Sequence, residues 1–128
     1  QPPYVRKAAF RRVIIELCDY RCAATGKRVL LDGGEAIVEA AHIHPLPLSG
    51  GEGPRNGLAL TPDMHWAMDR NLIASGPDLN WHVSQVLDDR LLHLQRLLRL
   101  EGRPLLHPGQ RAMFPRADAL ARVLRRHL

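Results

Sequence analysis

A chain of 128 residues that is 45% hydrophobic and 24% charged has the size and balance of one globular domain. No apolar run approaches the ~20 residues of a membrane-spanning helix, and no charged-then-apolar leader opens the chain, so no membrane partner is expected. The net charge of +5 and a pI near 10.0 favour polyanions, nucleic acid above all, because cationic side chains displace the counterions of a phosphate backbone.

The first periodic segment is Val5 to Tyr20, where Ala9, Phe10, Val13, Ile14, Leu17 and Cys18 form a helical stripe. Arg6, Lys7, Arg11 and Arg12 lie mostly off it, on a face suited to solvent or to phosphates. A turn follows from Arg21 to Gly26, marked by Thr25-Gly26. Cys18 and Cys22 are the only cysteines, too few for a disulfide framework and without a second pair to complete a zinc site. They read as small core residues in a reducing cytoplasm, with a structural zinc domain using Cys18, Cys22 and histidines as a lesser reading.

Val29-Leu30-Leu31 and Ile37 to Ile43 read as two strands of a hairpin around Asp32-Gly33-Gly34-Glu35. Strand alternation puts Val38, Ala40 and His42 on one face and Ile37, Glu39, Ala41 and Ile43 on the other, with Pro45 ending the pairing. Leu46 to Arg55 is rich in Gly and Pro and reads as a loop, and Leu58-Ala59-Leu60 as a short strand. Thr61 suits an N-cap, Pro62 the first helical position and Asp63 the first turn. The helix that starts there carries His65 and Asp69 one turn apart on one face, and Asn71 ends it in the left-handed conformation. Trp66 is expected in the core, or else stacked on a base.

A second hairpin is predicted from Leu72-Ile73-Ala74 and Trp81 to Val86 around Gly76-Pro77-Asp78. Asp88 or Asp89 then caps a leucine-rich helix to Leu100, with Gly102 as its stop, and Leu105-Leu106 adds a short strand. The last helix, Arg116 to His127, buries Leu120, Val123 and Leu124 and exposes Arg122, Arg125 and Arg126. Repeats and long linkers are absent, so residues 1–128 read as a single domain, its core at about 21–74; with no initiator methionine, it reads as the C-terminal part of a longer protein.

Phosphodiester hydrolysis needs an activated water, stabilisation of the phosphate charge and help for the leaving oxygen. His42, on a strand, suits the general base, since a histidine of ordinary pKa is mostly neutral at pH 7. His65 with Asp69 suits a divalent cation that holds the phosphate, and Asn56 suits a brace for the backbone or the imidazole beside it. Taken singly, His42 reads as a hydrogen-bonded core residue, His65 as a partly exposed one and Asn56 as a turn former. His82, His93, His107 and His127 have no matching partners and read as structural or surface residues.

Four motifs change that balance because they occur in order at suitable spacing: Arg21-Cys22-Ala23-Ala24-Thr25-Gly26, Ala40-Ala41-His42-Ile43-His44-Pro45, Asn56-Gly57-Leu58-Ala59-Leu60 and His65-Trp66-Ala67-Met68-Asp69. On these motifs the chain resembles HNH endonucleases of the His-Me-finger superfamily, and in particular the HNH domains of bacterial restriction endonucleases. The resemblance spans roughly Phe10 to Ile73. It implies an α+β fold with a ββα-metal (His-Me finger) core and flanking N- and C-terminal helices, and metal-dependent cleavage of DNA. It implies His42 as the base, Asn56 as the middle residue of the HNH name and His65 as a metal ligand, joined by Asp69. His44 and Arg55 are further candidates for a phosphate or metal contact. The cofactor expected is a divalent ion, Mg2+ or Mn2+ ahead of Zn2+ or Ni2+, and the partner is DNA. Two positions depart from the family pattern: Ala41 stands where many HNH enzymes place an Asp or His metal ligand, and Asn71 stands where Gly is frequent. The first departure motivates an alternative reading, a degenerate HNH fold that binds nucleic acid without cutting it.

Overall fold

A computed structural model describes residues 3–43 and 54–107. Helix α1 spans Pro3–Leu17 and turns Phe10 and Ile14 into the core, with buried Cys18 following, while Val13 stays 44% exposed. It stops earlier than the apolar stripe suggests. Asp19 and Tyr20 take φ of 54° and 59°. The amides of Asp19 and Tyr20 reach back to the carbonyls of Glu16 and Ile15, the paired closure of a Schellman motif with aspartate at the position glycine usually holds.

The turn at 21–26 forms as expected, closed by the Gly26 amide on the Cys22 carbonyl and the Cys22 amide on the Lys27 carbonyl. The expected first hairpin does not become a sheet. Its turn forms, with the Leu31 amide on the Glu35 carbonyl, but Leu30 and Ala36 make only an isolated bridge. Val29, Leu30 and Leu31 are 45%, 37% and 55% exposed, so no core face rewards longer pairing. Strand β1 is instead Glu39–His42, and its partner is β2, Gly57–Leu60, antiparallel with Glu39 opposite Leu60 and His42 opposite Gly57. A 3-10 turn, Pro54–Asn56, leads into β2.

Helix α2, Pro62–Asp69, begins at the expected proline and ends before Asn71, which has the expected left-handed φ of 60°. That conformation is why glycine also serves at this position. Thr61 is the N-cap residue, yet its hydroxyl makes no cap bond to the helix. It lies 3.6 Å from the Cys22 sulfur, which also receives the amides of Thr61 and Thr25. Met64, Ala67 and Met68 face the core. Trp66 does not: it is 52% exposed and carries the Arg70 guanidinium 4.1 Å above its ring, so the expectation of core packing fails at that residue.

Strands β3 (Ile73–Ser75) and β4 (Trp81–Val83) form the second hairpin, shorter than predicted. In its turn Asp78 accepts the Asn80 amide. Trp81 is fully buried and its indole N–H donates to the Ala23 carbonyl, fastening this hairpin onto the turn after α1. The leucine-rich helix shrinks to a 3-10 turn at Leu92–Leu94 and one turn of α-helix, α3, at Gln95–Leu98. Asp88 spends its carboxylate on the Arg90 amide and guanidinium, and Leu92 is 85% exposed, so the early residues have no buried face to gain from helix. Gly102, at φ 77°, ends the segment. Residues 102–105 run beside β4, with the Leu105 amide on the Leu79 carbonyl, in place of a separate strand. The last predicted helix, His44 and His127 lie outside the described residues.

Two antiparallel strands followed by α2 make the ββα unit, with α1 packed on the strand pair and the α2 side closed by the second hairpin. Ile14, Cys18, Cys22, Leu58, Leu60, Ile73 and Trp81 are its most buried side chains. Among the described residues, no helix is long and apolar enough to cross a membrane.

Candidate active site

Strand β1 holds a candidate residue toward each helix. At one end, His42 stacks face to face on Phe10 of α1, with ring centroids 4.1 Å apart and planes 4° from parallel. Opposite His42 in the register is Gly57, where a Cβ would stand 2.6 Å from Ile14 and 2.7 Å from Phe10. The glycine is what lets α1 come close enough for Phe10 to lie on the imidazole. Asn56 is 1% exposed, and its carbonyl receives the Ile43 amide, so the middle residue of the motif pins the backbone immediately after His42. Arg55 is exposed on the same 3-10 turn. Ala41 is wholly buried and faces away from solvent, so it contributes packing alone.

At the other end of β1, Glu39 reaches α2. Its Oε1 lies 2.8 Å from His65 Nδ1, and Asp69 Oδ2 lies 3.5 Å from His65 Nε2. An ionised carboxylate only accepts, so the short contact places the proton on Nδ1. The Nε2 lone pair then faces a second acceptor, Asp69, across 3.5 Å. Two acceptors so placed are stabilised by a proton or a metal cation between them. A carboxylate on the far nitrogen is also the usual support of a metal-binding imidazole, fixing its tautomer and raising its basicity. The donor set, one imidazole and one carboxylate oxygen, therefore fits a divalent cation. Among the described residues no three His, Cys, Asp or Glu side chains converge as a ready-made metal site.

Glu39 and His65 line an open groove of about 870 Å³ together with Arg11 of α1. His42 is outside that lining. The structure thus brings His65 and Asp69 together, adds Glu39 to them, and gathers His42, Asn56 and Gly57 at the other end of the same strand, three residues or roughly 10 Å along it. Glu39 was missed by the sequence reading, which assigned it only to the face opposite His42. Its acidity in a run of alanines was the signal available. His82 sits 3.0 Å from Asp78 and 3.8 Å from Glu101. The cysteines stay apart from both clusters: both thiols are free and buried, and no zinc centre is built on them among the described residues.

The comparisons with known proteins agree with this order of parts. Residues 22–74 match the family model described as HNH endonuclease. Over those residues the chain is similar to HNH endonuclease domains. The fold is similar to that of a solved modification-dependent restriction endonuclease, TagI, with a TM-score of 0.66 and 21% identity, over 93% of this chain and 37% of that one. At that identity the likeness is one of fold. No curated protein matches the chain. The matched HNH segment begins at Cys22 and ends at Ala74, so it takes in β1, β2, α2 and the start of β3 but not α1. Phe10 therefore reaches His42 from outside the family segment.

Proposed function

We propose that this HNH domain hydrolyses DNA phosphodiester bonds with a divalent cation, His42 acting as general base. The observation that carries the reading is the His65 imidazole held between two carboxylates on a ββα unit of HNH sequence. His65 Nε2 and Asp69 would hold the cation, with water and the substrate phosphate completing its sphere. Mg2+ or Mn2+ suits a carboxylate and phosphate-rich sphere, and the imidazole also admits Zn2+ or Ni2+. Bound there, the cation would neutralise charge on the phosphate and ease departure of the leaving oxygen.

The remaining work belongs to the chain. His42 removes a proton from the attacking water, its ring plane set by Phe10 and its strand held by the Asn56 carbonyl on the Ile43 amide. Glu39 keeps the His65 proton on Nδ1. Arg11, in the wall of the groove, supports a phosphate there, as Arg55 does beside Asn56. Free thiols at Cys18 and Cys22 support a reducing, cytoplasmic setting. Because the chain spans 37% of the restriction endonuclease it resembles, we read it as a nuclease module whose target choice comes from elsewhere in a longer protein.

The test is incubation with supercoiled plasmid, both unmodified and carrying modified bases, with Mg2+, Mn2+, Ni2+ or Zn2+ and with a chelator. Nicked or linear product that disappears with the chelator is expected. Binding without cutting under every metal would replace the reading with that of a non-cleaving DNA-binding domain.

A further inference from the structure

A second concave site lies across the first turn of α2 from the candidate active site. Its pocket, of about 260 Å³, is lined by Lys27 from the turn after α1, by Arg96 and Arg99 of the short α3 segment, and by Arg103 beyond it. All four side chains are exposed, and none is in a contact ion pair with a described residue. The single acid in the lining is Asp63. Its carboxyl accepts hydrogen bonds from the Thr61 hydroxyl and the Met64 amide. That leaves four cations against one anion around one small space. Like charges held together repel one another unless a counter-anion joins them.

We infer that Lys27, Arg96, Arg99 and Arg103 form a clamp for the phosphate backbone of DNA, apart from the site of cleavage. The inference rests on the nuclease reading for the identity of its polyanion. Arginine forks match phosphate oxygens in pairs, and three arginines from one short stretch give the reach of a strand track rather than of one small ion. The active-site groove takes Pro62 and His65 from α2, and the basic pocket takes Thr61, Asp63 and Met64. The two sites therefore lie on different sides of the first turn of α2. None of its residues lies on α1 or on the C-terminal segment, the basic stretches singled out by sequence.

The experiment is fluorescence anisotropy with a labelled 30-base-pair duplex, in EDTA so that binding is read apart from cleavage, over 50–200 mM salt and with two unrelated sequences. Arg96→Gln/Arg99→Gln is compared with Arg28→Gln/Arg90→Gln, which removes the same charge elsewhere. The pocket variant should lose about tenfold in affinity on both sequences and its salt slope should fall by about 2, one per lost phosphate contact, with the control near wild type. Equal losses in the two variants, or none in the pocket variant, would overturn the clamp while leaving the nuclease reading intact. A wild-type protein that neither binds nor cuts DNA would overturn both. Circular dichroism checks folding, and Lys27→Gln/Arg103→Gln supplies the same comparison should the first pair unfold.

Discussion

In the proposed mechanism His42 and Glu39 divide the chemistry of β1 between them, and single substitutions separate their roles. His42→Ala removes the proposed base and should cut the nicking rate by ~10²–10⁴ while DNA affinity stays near wild type. Cleavage at the wild-type rate would take His42 out of the mechanism. Glu39 touches His65 only through Nδ1, so Glu39→Gln keeps the shape of the contact and removes the negative charge behind the imidazole. Metal affinity should drop about 10–100-fold, read by titration calorimetry with Mn2+. His65→Ala should lower it further; equal affinity in wild type and His65→Ala would place the ion elsewhere.

At the scale of elements, the contact between α1 and the strand pair sets the geometry around His42. Gly57 is the close approach: an added methyl meets the Ile14 side chain at 2.6 Å and the Phe10 ring at 2.7 Å, both in the core. Gly57→Ala should therefore cost about 1–3 kcal/mol, the usual range for overpacking, visible as a lowered Tm. The same substitution pushes Phe10 off His42, so nicking should fall by more than the loss of folded protein explains. A variant as stable and active as wild type would show that α1 yields without cost. The Cys22 sulfur performs a second joining role, tying the turn after α1 to the N-cap residue of α2 through the Thr61 amide. This explains a buried cysteine without any metal.

For the whole molecule, acid should act in two steps. Burial holds the His107 pKa below its usual 6.5, so the unfolded chain takes up that proton first. Its contribution is nil well above pH 6.5 and turns destabilising as pH falls through 6.5. Asp63 and Asp78 have carboxyls held below 3.8: burial opposes this in both, but the Thr61 hydroxyl and Met64 amide outweigh it at Asp63, and the Asn80 amide and His82 at Asp78. Their stabilisation is complete above that value and is lost as pH falls further. Urea midpoints should decline from pH 7.5 to 5.5 and again below pH 4. His107→Leu should flatten the first decline and leave the second. An unchanged first decline in that variant would assign it to other histidines.

What the sequence determined by itself is the part governed by neighbours in the chain. Pro62 and Asn71 bound α2 because one has a preset φ and the other tolerates the left-handed region, and His65 and Asp69 meet because a helix places i and i+4 together. The order of motifs was enough for the ββα family. Tertiary structure alone decided which segment pairs with β1, since Val29-Leu30-Leu31 has as good a strand pattern as Leu58-Ala59-Leu60 but no core to cover it. It decided that the leucines before Gln95 stay out of a long helix, and that Trp66 lies outside under Arg70. It also brought Glu39 to His65 across 26 positions and gathered Lys27 with Arg96, Arg99 and Arg103. Such meetings depend on how layers stack, and burial is a property of the assembled layers that no local pattern carries.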